Sequence, residues 1–240
     1  MTETAQPWTA VCDFDGTIAP VDVTDKLLEA YAEPGWLEIE AAWLEGTIGS
    51  RECLSRQVAL VKAPLRDIDR LADTIAIDPH FLDFAGDCAA QGIRLIVVSD
   101  GLDRMIERIL SRHRLGHLEV FANALLTVGP KTHRMLSPHQ DPFCLAASGT
   151  CKCAVIQDVR DELPGTRVLF VGDGRSDFCA AARASDVVAA KSKLLAHMKT
   201  INQPCRPFTT FADVRRILSD LTSGAANFAR TSHGLHHECT

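Results

Sequence analysis

Two aspartates two residues apart, Asp13 and Asp15, follow the apolar run Thr9-Ala10-Val11-Cys12 and lead straight into Gly16-Thr17. Strand side chains repeat every second residue, so both carboxylates can approach one site as the chain leaves a sheet. Carboxylates held that close repel each other and are best tolerated around a cation, and hard cations such as Mg²⁺ take oxygen ligands. An ordinary strand-to-turn junction, where Asp and Gly are common, fits the same residues. Further polar clusters bear on the choice. Ser99-Asp100-Gly101 follows residues 94–98, Lys152 opens a helical pattern, and Gly172-Asp173-Gly174-Arg175-Ser176-Asp177 follows residues 167–171. Ligands of open α/β sheets bind beyond the carboxyl ends of the strands, so polar groups at three such ends point to one site.

The elements that must position these groups are legible as patterns. Residues 9–12, 94–98, 167–171 and 186–189 are continuous aliphatic runs, as expected of parallel strands covered on both faces. Residues 102–112 place Leu102, Met105, Ile106, Ile109 and Leu110 three and four apart, and 154–162 and 176–184 are shorter amphipathic helices. Strand and helix in alternation give an α/β fold with an open sheet. The rhythm breaks from Asp22 to Asp83, which reads as helices at 23–32, 35–45, 51–62 and 65–75, separated by Glu33-Pro34-Gly35, residues 46–50 and Ala63-Pro64. A helical module inserted between the first two strands is expected. The division is a core at 1–20 and 84–225, a helical cap at 21–83 and a tail at 226–240, mobile and His-rich at its end.

Composition narrows the function. With 240 residues, 46% apolar, 23% charged and a net charge of −6, the chain is globular and offers no basic stripe for nucleic acid. No apolar run approaches a membrane span of ~20 residues. MTETAQPWTA lacks the basic and apolar regions of a secretory signal, which favours the cytoplasm. Nine cysteines cannot all pair internally. Cys12, Cys53, Cys88 and Cys179 fall in expected strands or helices and act as small hydrophobes. Cys144, Cys151 and Cys153 cluster in a polar stretch whose spacing lacks a clean second pair for a metal.

The sequence DFDGT, a serine after a hydrophobic strand, a lysine and then GDGRSD resemble the haloacid dehalogenase superfamily of phosphohydrolases, over about residues 11–190. The resemblance implies a Rossmann-like doubly wound parallel sheet, with the helical insertion as a cap of the phosphoserine-phosphatase type. It implies Asp13 as the nucleophile that becomes an aspartyl phosphate, and Asp15 as general acid and then base. Ser99 and Lys152 would hold the phosphoryl oxygens. Mg²⁺ would be bound by Asp13, the Asp15 backbone carbonyl and Asp173, with Asp177 orienting the metal shell or Lys152. Physical reasoning agrees, because phosphoryl transfer needs positioning and neutralisation of negative charge. Backbone N–H groups at Phe14, Gly16 and Thr17, and at Asp100 and Gly101, would cradle phosphate oxygens.

The resemblance implies a small phosphorylated metabolite as substrate, with its choice expected to lie in the cap. Phosphoserine phosphatases carry an arginine for the substrate carboxylate where this chain has Gln57, with Arg56 one place away; their glutamate after the first motif falls on Asp22, which also suits a helix N-cap. Pro34-Gly35-Trp36, the Cys144–Cys153 approach to the lysine and the 172–191 run are similar to methionine-salvage phosphatases, which act on 2-hydroxy-3-keto-5-methylthiopentenyl-1-phosphate. Asp100 departs from them, since they have two glycines after the serine; phosphoethanolamine and phosphocholine phosphatases place an aspartate there. Phosphotransfer to an acceptor other than water is a second class. A non-catalytic phosphometabolite sensor is a third, and it has no use for Asp15. Trp36 and Trp43, seven apart, are expected in the cap core, Phe81 and Phe84 in packing at the cap hinge, and His133 and His139 as exposed loop residues.

Overall fold

The computed structural model describes residues 6–223. Its strands are β1 (Trp8–Cys12), β2 (Arg94–Leu102), β3 (Glu119–Gly129), β4 (Thr132–Leu136), β5 (Arg167–Gly172), β6 (Val187–Ala190) and β7 (Arg206–Pro207). They form one sheet in the order β4-β3-β2-β1-β5-β6-β7, parallel throughout except for the β3–β4 hairpin. Cys12 at the end of β1 lies beside Val97 on β2 and Val171 on β5. That register brings the residues after all three strands to one edge.

The central strands alternate between two buried faces, which is why they read as unbroken apolar runs. Ala10, Cys12, Leu95, Val97, Leu169 and Val171 join one cluster, whereas Val11, Ile96, Val98, Val168 and Phe170 join the other. The second face is covered by α7 (Lys152–Glu162), α8 (Phe178–Arg183) and α9 (Ser192–Thr200), through residues such as Ile156, Ala180 and Leu194. The first is covered by α5 (Phe81–Ala90), α6 (Asp103–Arg112) and α10 (Phe211–Thr222). Phe81 and Phe84 pack there against Phe211, with ring centroids 4.8 and 5.2 Å away.

The inserted segment forms α1 (Val23–Tyr31), α2 (Trp36–Leu44), α3 (Ser50–Ala59) and α4 (Leu65–Ala72). Val23, Leu27, Leu28, Leu54, Val58 and Ile68 belong to the same cluster as the first sheet face, so this segment shares one apolar core with the sheet. α2 has no buried residue. Trp36 is partly buried against the cluster, but Trp43 lines a cavity instead of the expected core.

The hairpin β3–β4 was not anticipated, and it changes the reading of both loop histidines. α3 packs on β4, and His133 on β4 is 2% exposed, its Nε2 2.7 Å from the Ala63 carbonyl between α3 and α4. His139 is half-buried with its ring 5.1 Å from Phe121. Neither is a free surface histidine. Cys179 is half-buried, unlike Cys12, Cys53 and Cys88, which are buried. The expected tail at 226–240 lies outside the described residues.

Candidate active site

The turn after β1 is fixed by its own backbone. Asp13 N–H still donates to the Val171 carbonyl at 2.9 Å, prolonging the β1–β5 ladder, and the Phe14 carbonyl then accepts from Thr17, Ile18 and Ala19. The Phe14 ring is buried in the core, which leaves only its backbone to face a ligand. Gly16 sits at φ +70°, and a Cβ there would stand 2.6 Å from Asp173 Oδ2, so both conformation and space demand glycine. Thr17 Oγ1 donates to Asp173 Oδ1 at 2.9 Å, tying the turn to the end of β5.

Lys152, the first residue of α7, projects into this turn. Its Nζ donates to Asp13 Oδ1 at 2.6 Å, Asp177 Oδ1 at 2.5 Å and Ser176 Oγ at 3.2 Å. Asp177 Oδ2 accepts from the Asp173 and Gly174 amides at 2.9 and 2.8 Å. Both Asp177 oxygens are therefore engaged, while Lys152 and Thr17 each reach one oxygen of Asp13 and Asp173. Burial opposes the Lys152 charge, but Asp13 and Asp177 more than offset it and its pKa is raised. Burial and then Asp177 push the Asp13 carboxyl well above the usual carboxylate range, against the pull of Lys152.

Two ammoniums, Lys152 in contact and Lys191 at longer range, thus face three carboxylates, Asp13, Asp173 and Asp177, whose ligand oxygens lie within 4.8 Å of one another. The all-oxygen donor set and the surplus negative charge fit a hard divalent cation. Among the described residues this is the group that meets that spacing; Cys144, Cys151 and Cys153 do not.

Asp15 has a different environment. Its Oδ1 accepts from Val23 N–H at 2.8 Å and its Oδ2 from Ser99 Oγ at 3.0 Å, and Ser99 Oγ accepts from Gly101 N–H at 2.9 Å. The β2–β3 register shifts between Val98 and Leu102, which turns Ser99–Gly101 out of the ladder toward Asp15. A Cβ at Gly101 would lie 2.6 Å from Asp15 Oδ2. Burial, and then the charge of Asp22, raise the Asp15 pKa to about 7. Two carboxylates two residues apart, one beside an ammonium and one kept near its titration point, suit different tasks.

These groups open on a cavity of about 410 Å³. Asp22 lines it and also caps α1, accepting from Asp25 N–H at 2.9 Å. Gln57 is buried on its wall, with Nε2 donating to Glu40 at 3.0 Å and to the Trp36 carbonyl at 3.3 Å. Arg56 is not brought to the cavity; it is exposed and pairs with Glu52 at 3.5 Å. Asp100 borders the cavity, but its carboxylate is occupied. Ser50 Oγ donates to one oxygen, while Asn123 Nδ2, Gly149 N–H and Thr150 N–H reach the other at 3.1, 2.9 and 3.0 Å. Its side chain is a junction between elements, and any phosphate contact falls to its backbone.

Asp25, Glu40, Trp43 and Ser50 also line the cavity and carry no mark in the sequence motifs. The available signal was spacing: Asp22 and Asp25, and Glu40 and Trp43, lie three apart and share helix faces. Asp22, Asp25 and Glu40 repel one another, and burial followed by Asp22 and Glu40 lifts Asp25 to about 6. The Arg175 guanidinium stands 5.7 Å over the Trp43 ring at the mouth.

A family profile for haloacid dehalogenase-like hydrolases matches residues 10–182, spanning the Asp13, Ser99, Lys152 and Asp173 positions. The chain belongs to the haloacid dehalogenase-like hydrolase family. Two relatives of this hydrolase family, from Exiguobacterium sp. and Brevibacillus brevis, are each named 2-hydroxy-3-keto-5-methylthiopentenyl-1-phosphate phosphatase. The first is 31% identical, covering 85% of this chain and 94% of its own; the second is 30% identical, covering 88% and 94%. A solved phosphoserine phosphatase, described as a phospho-aspartyl intermediate analogue, superposes with a TM-score of 0.67 at 19% identity, covering 90% of this chain and 99% of its own. That likeness shows the shared fold. No helix among the described residues is long and apolar enough to cross a membrane.

Proposed function

We propose that this hydrolase is a Mg²⁺-dependent phosphomonoesterase of the cytoplasm, acting on a small phosphorylated metabolite through an aspartyl phosphate on Asp13. The observation that carries it is Lys152 Nζ at 2.6 Å from Asp13, across from an Asp15 carboxyl raised to about 7. Asp13 Oδ would attack phosphorus as the ester P–O bond breaks, and protonated Asp15 would give its proton to the leaving alkoxide. Asp15, now ionised, would take a proton from the water that attacks phosphorus, freeing Asp13 and inorganic phosphate. Ser99 and Lys152 would hold the phosphoryl oxygens, with the backbone amides of residues 14–17 and 100–101, and Asp177 would fix Lys152. Asp13, Asp173 and the Asp15 carbonyl would hold Mg²⁺, which when bound neutralises charge on the transferring group. Residues 21–83 serve as the cap that walls the cavity and excludes water.

The names of the relatives support 2-hydroxy-3-keto-5-methylthiopentenyl-1-phosphate as substrate. The acidic wall of Asp22, Asp25 and Glu40 favours a second reading, a leaving group that carries a positive charge, as in phosphoethanolamine or phosphocholine. Both readings disfavour phosphoserine, whose carboxylate would meet this wall without the arginine that pairs it. Phosphate release across these four esters, with and without Mg²⁺, tests the proposal. Turnover that needs Mg²⁺ and is abolished in Asp13→Ala supports it; turnover retained by Asp13→Ala refutes it.

A further inference from the structure

The Asp100 carboxylate ties together two helices from distant parts of the chain. One oxygen accepts from the hydroxyl of Ser50, the first residue of α3. The other accepts from the Gly149 and Thr150 amides at 2.9 and 3.0 Å, just before Cys151, the N-cap of α7. The N-termini of α3 and α7 thus converge on one negative charge, which both helix dipoles favour. Asn123, fully buried on β3, fixes that charge in place. Its Nδ2 donates to the Asp100 carbonyl at 2.7 Å and to the carboxylate at 3.1 Å. A Cβ on Gly149 would collide with Asn123 Oδ1, so the loop lies hard against this pair.

A second set of bonds joins the same two elements. The Ala146 and Ala147 carbonyls accept from Ser50 and Arg51 N–H at 3.4 and 3.0 Å, the first amides of α3. The N-cap of α3 is Gly49, which has no side chain to satisfy them. Ala147 takes φ +46°, a conformation that alanine keeps only where its surroundings hold it. Beyond the loop, Cys151 N–H donates to the His139 carbonyl at 2.9 Å, and Lys152 then reaches Asp13. Next to Asp100 itself, Ser99 contacts Asp15. One carboxylate therefore stands between the helix whose Leu54 and Gln57 line the cavity and the helix that delivers Lys152.

We propose that Asp100 is a positioning residue that seats α3 and α7 as one unit, so that the α3 wall of the cavity and Lys152 hold their places together. Its effect on turnover rests on the phosphatase reading of the site. Lys152 must neutralise the transferring group while Asp13 attacks, and a misplacement of about 1 Å there costs about 10²-fold. Loss of the Asp100 carboxylate frees both helix ends at once. Loss of the Ser50 hydroxyl frees the wall and leaves the bonds from Gly149 and Thr150 intact. Asparagine at position 100 keeps an oxygen for Asn123, Gly149 and Thr150, and its amide can donate to Ser50 Oγ.

Phosphate release and amide hydrogen exchange test this on the full chain, in Asp100→Ala, Asp100→Asn, Ser50→Ala and the double variant with alanine at both positions. Asp100→Ala should lower kcat at least about tenfold, and Asp100→Asn no more than about threefold. Ser50→Ala should raise KM about three- to tenfold with kcat within about twofold, and should add little once Asp100→Ala is present. With no ester present, Asp100→Ala should quicken exchange at both Arg51 and Cys151, although neither amide donates to Asp100. Ser50→Ala should quicken it at Arg51 alone. The proposal is overturned by an Asp100→Ala kcat within about twofold of the parent, by Asp100→Asn faring no better than Asp100→Ala, or by Ser50→Ala acting in full on the Asp100→Ala background. Exchange that quickens only at residues 149–150 overturns it too. Ser50→Ala removes a single hydroxyl at the cavity edge, so unchanged KM and unchanged Arg51 exchange in that variant sink the coupling even if Asp100→Ala does not fold. A parent chain that releases phosphate from no ester counts against the phosphatase reading, and exchange then decides the coupling by itself.

Discussion

Gly101→Ala isolates what the position of Asp15 is worth. The added methyl would stand 2.6 Å from Asp15 Oδ2 and 3.1 Å from Ser99 Oγ. Against an ordinary contact of 3.4 Å, Asp15 must retreat by about 0.8 Å, and it can, because the crowded atom is the end of a side chain. Gly101 has no positive φ to strain, so folding survives and the effect falls on the carboxyl group. Retreat breaks the bond from Ser99 Oγ while the bond from Val23 N–H remains. One lost hydrogen bond of about 1 kcal/mol and a misplacement approaching 1 Å together predict a fall in kcat of roughly 10- to 100-fold. KM should change little, since the methyl points at the proton donor. Gly174→Ala is the control on the same cavity, because its Cβ would meet nothing nearer than 3.8 Å. Steady-state phosphate release under saturating Mg²⁺ measures both variants. A Gly101→Ala enzyme within about twofold of the parent kcat would refute the assignment of Asp15 as proton donor.

Other perturbations separate the remaining roles. Lys152→Met leaves Asp13 and Asp177 buried without their ammonium, so urea unfolding should show a loss of about 3–5 kcal/mol together with loss of turnover. In the ion-free protein Asp15 titrates near 7 when folded and near 4 when unfolded, so the folded state holds the extra proton between those values. Stability in EDTA should therefore fall as pH rises from about 4 to about 7, and Asp15→Asn should flatten that slope in urea titrations. Asp15→Asn should also trap the phosphorylated enzyme, seen as a mass increase that persists on the intact chain. Removing the cation with EDTA should abolish phosphate release, and returning Mg²⁺ should restore it while raising Tm.

The sheet and its polar edge were legible because each signal was local. Residues 94–98 and 167–171 declared buried parallel strands by their unbroken aliphatic character; Asp13, Ser99 and Asp173 lay where such strands end, and Lys152 where a helical pattern begins. Boundaries moved only slightly: β2 runs on to Leu102, α3 stops at Ala59 and α4 at Ala72. What stayed hidden depended on contacts distant in sequence. β3 and β4 are half-exposed, with Leu126, Val128 and Leu136 open to solvent, so they show neither a buried run nor clean alternation. His133 is buried only because the hairpin meets Ala63, and the Asp100 side chain is spent on Ser50, Asn123 and residues 149–150. Arg56 and Gln57 show the same limit within one helix: rotation about α3 buries the amide and leaves the guanidinium outside.

The apolar cluster shared by the inserted helices and the sheet bears on how this enzyme can be redesigned. Leu27, Leu28, Val58 and Ile68 pack in one body with Leu95, Val97 and Leu169. The wall that meets the leaving group is therefore no detachable module. Grafting residues 21–83 from a relative with another preference would strip packing from the strands that carry Ser99 and Asp173. Changes to the cavity lining, at Asp25, Glu40 or Trp43, avoid that core and are the freer route to a new specificity.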